Sequence, residues 1–486
     1  MKLYLKNHTE RYPVEQLQLQ LFAQEPSEFC TEPFTGDGTV SSLSRGKRYL
    51  TATAKVTYQG KTGFASNRVL LEKADVRATR RILQRSYYLA ALQVLPAAPP
   101  WGALSGVRPT KLSTKCLMAG GSERDAERLL RQTYFVSPER ARLCVDASRH
   151  TVEAAKKLDA DDLSVYIGIP FCPTRCAYCS FSSGEIGDGR LVEPYMAALL
   201  HEIEACAEMA REMGLHIRVG YIGGGTPSSL TTPQLDRLLA HVERHFGALA
   251  EFTVEAGRPD TLDAQKLRML RDHPVTRISI NPQTMNDVTL ARIGRAHTAK
   301  QTVEAYELAR SIGFDDINMD VIAALPGEDY AMFAHTLAEI RRLRPESLTV
   351  HTLAIKRSSR LNLDKYPLPD GDRTARMVRL GGETARALGM KPYYLYRQKY
   401  MSGSFENTGW CRPGYTGLYN IYMMEELHTI LSLGGGGMNK INLPEEKLAR
   451  YHNPKIPQDY ISRIDTILQQ KDEIFSILRE IREQNP

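Results

Sequence analysis

Three cysteines on one short segment are the residues of this chain with the most distinctive chemistry. Cys172, Cys176 and Cys179 have the spacing C-x3-C-x2-C and follow an apolar run at 164–169 that is typical of a buried strand. Three thiolates can hold three irons of a cubane [4Fe–4S] cluster and leave the fourth iron open, whereas clusters used only for electron transfer normally take four cysteines. The spacing therefore predicts a metal-binding enzyme that does its chemistry at the open iron.

Zinc is the main alternative for these thiols. A structural zinc site takes four tetrahedral ligands, and the nearest further cysteine, Cys206, lies well beyond the segment, inside a predicted helix. No histidine is interleaved with the three cysteines. An iron–sulfur cluster is therefore the favoured interpretation, and zinc is the second.

The totals are those of an ordinary folded protein. Its 486 residues are enough for two or three domains, and 42% hydrophobic and 24% charged residues are usual for such chains. The formal charge of +7 indicates a solvated surface or an anionic small-molecule substrate, and no Lys/Arg run suggests nucleic acid as a partner. No segment resembles a membrane span or a signal peptide, so we expect a cytoplasmic chain with reduced cysteines.

The cysteines lie within a long alternation of strands and helices that must position them. Predicted strands lie at 164–169, 218–222, 252–254, 277–280, 317–322 and 347–352. Predicted helices between them include 192–213, 232–246, 300–312 and 331–343. Alternating elements of this length favour parallel strands with crossover helices. The predicted fold class is therefore α/β, a partial (β/α)6 barrel, in which ligands bind at the C-terminal ends of the strands.

The regions on either side of the barrel have different patterns. We predict an N-terminal α+β accessory domain at 1–158, the barrel at 159–360 and a C-terminal, substrate-side α+β extension at 361–486. In the extension, the glycine-rich stretch 432–437 indicates a tight backbone segment, and 459–484 has the pattern of one exposed helix.

Polar side chains and glycines follow several of the predicted strands. The glycine-rich segment 223–227 follows the second strand, Glu255 the third and Gln283 the fourth, while Asp320 lies in the fifth. The glycine segment lacks the lysine of a phosphate-binding loop and the spacing of a dinucleotide fingerprint, so a tight turn is its alternative reading. Beside a three-cysteine site, it fits a loop whose bare backbone meets a small zwitterionic ligand.

S-adenosylmethionine (SAM) is a ligand that these side chains suit. A carboxylate and an amide such as Glu255 and Gln283 can bind ribose hydroxyls, and Arg295 can pair with the methionine carboxylate. Tyr178, within the cysteine segment, can stack on adenine. Singly, each residue is more often a solvated, capping or packing residue, and only their convergence on one rim indicates a site.

The longer motifs resemble those of the radical SAM enzymes, in particular the oxygen-independent coproporphyrinogen III dehydrogenase (oxidase) family. The resemblance is carried by the run 166–179, which includes the cysteines, and by the segments 223–228, 279–286 and 317–326. The stretch 255–260 and the additional N-terminal region resemble the HemZ-type branch of that family.

The resemblance implies a role for each matching residue. The cluster ligands would be Cys172, Cys176 and Cys179. The SAM at the open iron would contact Tyr166, Gly224 and Glu255. Of these, Tyr166 and Glu255 would be catalytic. A second SAM site has been proposed in the family, and its matching positions are Tyr178, Gly225, Thr226, Gln283, Arg295, Asp320 and Ala354. Where the family commonly has a histidine, this chain has Gly168.

The reaction that the resemblance implies belongs to porphyrin and haem biosynthesis and has a tetrapyrrole substrate. One electron from a reduced flavodoxin or ferredoxin enters the cluster, and SAM is cleaved to methionine and a 5′-deoxyadenosyl radical. The radical takes a hydrogen atom from the β-carbon of a propionate, and loss of CO2 and one electron leaves a vinyl group. Two such rounds convert coproporphyrinogen III to protoporphyrinogen IX. Two alternatives stay open: other radical SAM chemistry on a tetrapyrrole, such as methyl transfer or haem ring opening, and a haem-binding chaperone on the same scaffold.

Overall fold

The chain folds into two compact units. The computed structural model describes residues 1–484 except 23–24, 181–182, 357, 368, 399–402, 404 and 446. The first unit comprises 1–145 and 397–405, and the second comprises 146–396 and 406–486. The three-part division after residues 158 and 360 stays a prediction. Among the helices that the structure describes, none is long and apolar enough to cross a membrane.

Strands and helices alternate along most of the chain. The strands of the described residues are β1 (Lys2–Lys6), β2 (Glu28–Cys30), β3 (Gly38–Arg45), β4 (Tyr49–Tyr58), β5 (Lys61–Leu70), β6 (Asp162–Ile169), β7 (Phe171–Cys172), β8 (Gly184–Glu185), β9 (His216–Gly224), β10 (Glu251–Glu255), β11 (Arg277–Ser279), β12 (Ile317–Ala323), β13 (Ser347–Thr352), β14 (Lys391–Arg397), β15 (Glu406–Cys411), β16 (Ile430–Gly434), β17 (Met438–Leu443) and β18 (Lys447–His452). Their helices are α1 (Arg11–Leu21), α2 (Val76–Ala91), α3 (Thr110–Met118), α4 (Glu123–Arg128), α5 (Pro138–Ala155), α6 (Val192–Glu212), α7 (Thr232–Phe246), α8 (Ala264–Asp272), α9 (Asp287–Arg292), α10 (Ala299–Ile312), α11 (Tyr330–Leu343), α12 (Arg360–Leu363), α13 (Gly371–Ala387), α14 (Leu418–Glu425), α15 (Pro457–Ser462) and α16 (Ile464–Gln484). A π-helical turn, Leu129–Thr133, follows α4.

The first unit is built on a five-stranded sheet in the order β2-β1-β3-β4-β5. β1 pairs in parallel with β2 and β3, and the remaining pairs are antiparallel. Ala52, Ala54 and Val56 alternate along β4 and are buried, because every second side chain of a strand faces the same side. They share an apolar core with Leu83 and Tyr87 of α2, so one face of the sheet packs against this helix.

The second unit is built on an eleven-stranded sheet in the order β14-β15-β13-β12-β11-β10-β9-β6-β16-β17-β18. β6 and β9 to β13 pair in parallel, each with the next one along the chain, and helices connect them. In α7, for example, Thr231 and Gln234 form a capping box, and Leu235, Leu238 and Val242 form the buried stripe. The predicted α/β class, with six consecutive β/α units of a partial barrel, is confirmed.

The glycine-rich stretch 432–437 is partly a strand rather than only a tight segment. Residues 430–434 form β16, which pairs in parallel with β6 from Ser164 to Gly168. Leu431 and Leu433 are buried because β16 lies inside the sheet, between β6 and β17. The sequence pattern missed this strand, since a short apolar run that leads into four glycines indicates a turn more strongly than a strand.

The sequence pattern of 459–484 predicted one exposed helix, and this prediction is wrong. The segment forms α15 and α16, and α16 packs against α6 with Ile467, Lys471 and Ile474 buried. Lys471 Nζ lies 3.2 Å from Glu202 Oε1 of α6, both side chains are fully buried, and Nζ also donates to the Ser432 carbonyl at 2.6 Å. The lysine within the buried stripe makes this helix look exposed in the sequence, because lysine normally lies on the solvent face of a helix.

Candidate functional site

The cysteine segment forms a turn directly after β6. Cys172 ends β7, which pairs with β8, and the Ile186 backbone N–H donates to the Cys172 carbonyl at 2.9 Å. Cys179 donates its backbone N–H to the Cys176 carbonyl at 3.1 Å, so these two residues lie on one tight turn. All three thiols are partly exposed, and no disulfide bond forms among the cysteines that the structure describes.

Residues far along the chain hold this turn in place. The Ala177 N–H donates to the Ile293 carbonyl at 2.9 Å, and Thr174 Oγ1 donates to the Gly294 carbonyl at 2.9 Å. The buried Arg258 guanidinium donates to Thr174 Oγ1 at 3.0 Å. The turn is therefore held both between Cys172 and Cys176 and between Cys176 and Cys179, so its thiols lie at defined positions.

The three thiols suit a cluster better than a single ion. In the described part of the chain, no group of three or more His, Cys, Asp or Glu side chains could hold one metal ion. In a cubane cluster each cysteine binds a different iron, so the thiols need not converge on one point. Thr226 Oγ1 lies 3.5 Å from Cys172 Sγ and donates to it, which adds a polar contact of the kind that tunes such clusters.

The glycine segment packs closely against the chain that leads to the cysteines. The Gly225 N–H donates to the Ile169 carbonyl and the Thr226 N–H donates to the Phe171 carbonyl, both at 2.7 Å. A Cβ atom at position 225 would lie 2.5 Å from the Phe171 carbonyl oxygen, and Gly224 has a φ of +112°. Glycine is needed here for backbone packing and for the positive φ.

Tyr166, Gly224 and Glu255 come together at the ends of β6, β9 and β10. The Tyr166 hydroxyl lies 3.2 Å from the position of a Cβ atom on Gly224, and Glu255 Oε1 lies 3.1 Å from the position of a Cβ atom on the adjacent Gly223. Tyr166 is the register partner of Tyr221, with ring centroids 6.2 Å apart, and Tyr419 of α14 stacks on Tyr221 at 4.5 Å. Tyr166 also lies 6.3 Å from Tyr419, so the three rings form a mutually stacked cluster beside the half-buried Glu255 carboxylate.

The carboxyl group of Glu255 is half-buried and has a pKa near neutral pH. Burial is the main cause that raises the pKa of Glu255 to about 7, and the negative charge of Asp320 adds to it. The Tyr221 hydroxyl donates a 2.5 Å hydrogen bond to Glu255 Oε1 and opposes the rise, because it favours the charged form. Glu255 can therefore bind hydroxyl groups as either donor or acceptor.

Asp320, in the middle of β12, meets Gln283 of the segment that follows β11. The Gln283 N–H donates to the Asp320 carbonyl at 2.9 Å, and Gln283 has a φ of +63° in the left-handed region. Burial acts to raise the pKa of Asp320, but His351, at 3.7 Å, and Asn318, at 2.8 Å, outweigh it and hold the pKa below its ordinary value. The buried Gln283 Oε1 has no hydrogen-bond partner among the described residues, which suits a ligand donor.

Arg295 places a positive charge beside the cysteine turn. Burial acts to lower the pKa of Arg295, but the neighbouring Tyr178 and Cys176 raise it above its ordinary value. The guanidinium donates to the Asn281 carbonyl at 2.5 Å, while its buried Nε atom lacks a partner in the described part of the chain. Tyr178 itself packs against an apolar cluster that includes Leu353, so its ring has a packing role whether or not it meets a ligand.

Ala354 is the predicted site residue with the least specific surroundings. It is half-buried and lies two residues beyond β13, where the Leu353 N–H donates to the Ala323 carbonyl at 3.1 Å. Further along, the Leu361 N–H donates to the Ala177 carbonyl at 3.0 Å. The described contacts therefore tie this part of the chain to the cysteine turn through residues other than Ala354.

The position where the resembled family has histidine has no room for a side chain. A Cβ atom on Gly168 would lie 2.6 Å from the Gly435 carbonyl oxygen. Gly435 follows β16, the strand that pairs with β6. The added parallel strand therefore accounts for the glycine at this position.

Sequence reasoning missed several residues that support the site. Tyr221 could have been found, because it lies on a predicted strand two residues before the glycine segment. Tyr419 had no local signal. The buried Arg258 binds Asp260 with two hydrogen bonds of 3.0 and 2.8 Å, and the His297 ring lies 3.4 Å from Asp260. Arg258, Asp260 and His297 support the site through the contact of Arg258 with the cysteine turn, and no local sequence pattern indicates that contact.

Known proteins resemble this chain over most of its length. A family model described as the radical SAM superfamily matches residues 166–340. The oxygen-independent coproporphyrinogen-III oxidase-like protein HemZ of Bacillus subtilis (strain 168) is 37% identical over 94% of this chain and 92% of its own length. The heme chaperone HemW of the same organism is 32% identical over 52% of this chain and 68% of its own length.

A solved structure supports the fold. Coproporphyrinogen III oxidase (HemN) from Escherichia coli, a radical SAM enzyme, is similar with a TM-score of 0.53 and 22% sequence identity. The similarity covers 65% of this chain and 72% of that chain. At this identity the likeness concerns the fold alone.

Proposed function

The chain belongs to the radical SAM superfamily, in its HemZ-like branch, and from this premise we propose that it decarboxylates coproporphyrinogen III without oxygen. Two propionates would each lose CO2 and become vinyl groups, which gives protoporphyrinogen IX. One observation carries the proposal: continuous contacts link the cysteine turn, the glycine segment and the carboxylate of Glu255. The tetrapyrrole substrate is inferred from the name of the HemZ relative.

Membership of the superfamily implies a [4Fe–4S] cluster and SAM, and the residues present suit both. When bound, the two supply a 5′-deoxyadenosyl radical that takes a hydrogen atom from the substrate. Three residues would hold irons: Cys172, Cys176 and Cys179. Three would contact the SAM at the open iron: Tyr166, Gly224 and Glu255. A second SAM, if the chain takes two, would contact Tyr178, Gly225, Thr226, Gln283, Arg295, Asp320 and Ala354.

The side chains of the site divide into groups with different tasks. Glu255 and Gln283 offer oxygens to ribose hydroxyls, and the unpartnered Gln283 Oε1 makes that contact favourable. The Arg295 guanidinium would pair with a carboxylate, since a buried cation needs an anion nearby. The stacked rings of Tyr221 and Tyr419 lie next to Glu255 and would reduce the access of water to it. A reduced flavodoxin or ferredoxin would provide the electron.

An anaerobic assay with the reconstituted protein, SAM, dithionite and coproporphyrinogen III tests the proposal. Mass spectrometry should detect two successive losses of CO2 and a matching amount of 5′-deoxyadenosine. Cys176→Ala should make neither product, while Cys30→Ala, a half-buried cysteine on β2, should retain both. Formation of 5′-deoxyadenosine without CO2 would refute coproporphyrinogen III as the substrate. A methylated or ring-opened tetrapyrrole would show that the reaction is methyl transfer or ring opening instead of decarboxylation.

A haem chaperone is the second candidate function. It is favoured by the likeness to HemW over 52% of the chain. The closed space at Gly168 adds to it, because the histidine of the resembled oxidase family cannot be accommodated there. Tight haem binding in the same preparation, with no SAM-dependent product from coproporphyrinogen III, would favour the chaperone over the proposed enzyme.

A further inference from the structure

The first unit has a groove of its own that no part of the proposed reaction uses. The groove has a volume of about 770 Å³ and lies beside α4 and the π-helical turn that follows it. Its apolar surface includes Leu92, Pro99 and Val136. The volume is within the range of small-molecule sites in proteins, roughly 300–1,000 Å³.

The groove is lined with arginines on one side. Arg124 and Arg128 are four residues apart on α4, so they lie on one helix face, and Arg131 follows in the π-helical turn. Glu127 is the acidic residue of the lining, so three positive side chains face one negative side chain. Arg128 pairs with Asp125 at 3.1 Å and Arg131 with Glu127 at 3.3 Å, but such exposed pairs contribute little. An anion of higher charge can therefore compete for the arginines.

An aromatic residue forms the wall of the groove. The half-buried Phe135 ring stacks on the buried Tyr88 ring, with centroids 5.1 Å apart. The Arg85 guanidinium lies 5.0 Å from the centre of the Phe135 ring. The wall thus combines a flat apolar surface with a further positive charge, an arrangement that suits a flat, electron-rich ligand.

The backbone holds this wall in an unfavourable conformation. Phe135 has a φ of +59°, in the left-handed region that a bulky residue rarely adopts. Hydrogen bonds on its C-terminal side maintain it: the Val136 N–H donates to the Leu130 carbonyl at 3.1 Å, and the Ser137 N–H donates to the Pro100 carbonyl at 2.8 Å. π-Helical turns such as the one preceding Phe135 are frequent at functional sites. The surrounding fold therefore holds the Phe135 ring at the groove although the backbone of a phenylalanine disfavours this conformation.

We propose that this groove binds a tetrapyrrole that carries carboxylates, in the flat, oxidised porphyrin form; the inference rests on the proposed function, whose substrate and product are the reduced, non-planar members of the same tetrapyrrole class. The macrocycle would lie against Phe135, and its propionates would pair with Arg124, Arg128 and Arg131. Guanidinium groups bind carboxylates through two parallel hydrogen bonds, so several propionates give both affinity and orientation. A concave, apolar and aromatic surface suits a small planar ligand better than the flat face of a partner protein.

Equilibrium titration of the full chain with coproporphyrin III, the oxidised and air-stable form, tests this proposal by absorbance and fluorescence. The double variant Arg124→Ala/Arg128→Ala should bind at least tenfold more weakly. The matched control is Arg77→Ala/Arg81→Ala, an exposed pair with the same spacing on α2 and outside the groove, which should bind like the parent chain. Arg124→Lys/Arg128→Lys should recover part of the affinity, because lysine retains the charge without the paired hydrogen bonds.

Hydrogen exchange locates the ligand on the chain. Coproporphyrin III should protect peptides that cover 124–137, and the alanine variant should lose this protection. Unchanged affinity in the alanine variant, or protection by an oxidised flavodoxin but not by the porphyrin, would overturn the groove as a tetrapyrrole site.

The same preparations separate this inference from the proposed reaction. If the alanine variant loses affinity while the parent chain releases no CO2 from coproporphyrinogen III, the groove is supported and the reaction fails. If affinity is unchanged while the parent chain releases CO2, the reaction stands and the groove is rejected.

Discussion

Removing the Tyr221 hydroxyl should raise the pKa of Glu255 above its present value. Burial already raises that pKa to about 7, and the 2.5 Å hydrogen bond from Tyr221 opposes the rise. Tyr221→Phe removes only the donor, because the ring that packs against Tyr166 and Tyr419 remains. Without the donor, the charged carboxylate is less stable and the acid holds its proton to higher pH.

The size of the shift follows from the strength of that hydrogen bond. A hydrogen bond to a charged group contributes about 1.5–3 kcal/mol, and one pKa unit corresponds to about 1.4 kcal/mol. We therefore expect the pKa of Glu255 to rise by about one to two units in Tyr221→Phe. Asp320→Asn should lower it instead, because the charge of Asp320 raises the pKa of Glu255 in the parent chain.

Infrared titration of the protonated carboxyl group measures the shift in protein without SAM. The signal of Glu255 is the difference between each chain and the same chain with Glu255→Gln. Tyr419→Phe is the matched control, since the Tyr419 ring belongs to the same stack and its buried hydroxyl lacks a hydrogen-bond partner among the described residues. A midpoint that is unchanged in Tyr221→Phe, or that moves equally in Tyr419→Phe, would refute the role of this hydrogen bond.

Three further predictions concern pH and stability. Since the pKa of Glu255 is about 7 in the folded chain and ordinarily 4.5, the folded chain binds more protons and its stability falls as pH rises from 4.5 to 7; Glu255→Gln should flatten this slope in urea unfolding, and an unaltered slope would contradict the shift. Gly168→Ala should lower stability by about 1–3 kcal/mol, because its Cβ would meet the Gly435 carbonyl oxygen; an equal unfolding midpoint would contradict the close packing. Lys471→Met should cost about 3–5 kcal/mol, because it removes the buried cation beside the Glu202 carboxylate, and adding Glu202→Gln should recover part of the loss, since the amide removes the charge and keeps an acceptor for Gly434 N–H, Asn453 and Tyr460; no recovery would argue against the pair.

The local patterns of the sequence predicted the barrel well. Each strand or helix contains its own periodicity, so the bounds predicted for the six parallel strands lie within a few residues of β6 and β9 to β13. The spacing of the cysteines is equally local, and Cys176 and Cys179 lie on one turn as such a spacing requires. Residues at strand ends could also be grouped, because parallel strands bring their carboxyl ends to one side.

The tertiary structure alone decided which distant residues meet. Tyr221 and Glu255 are 34 residues apart, and their contact depends on the register between β9 and β10. The carbonyl of Gly435 closes the space at Gly168, and Lys471 is buried against a helix from the other end of the unit. No residue carries a local signal of its partner, because strand register is set by the whole sheet and a slip of one residue turns every side chain to the opposite face.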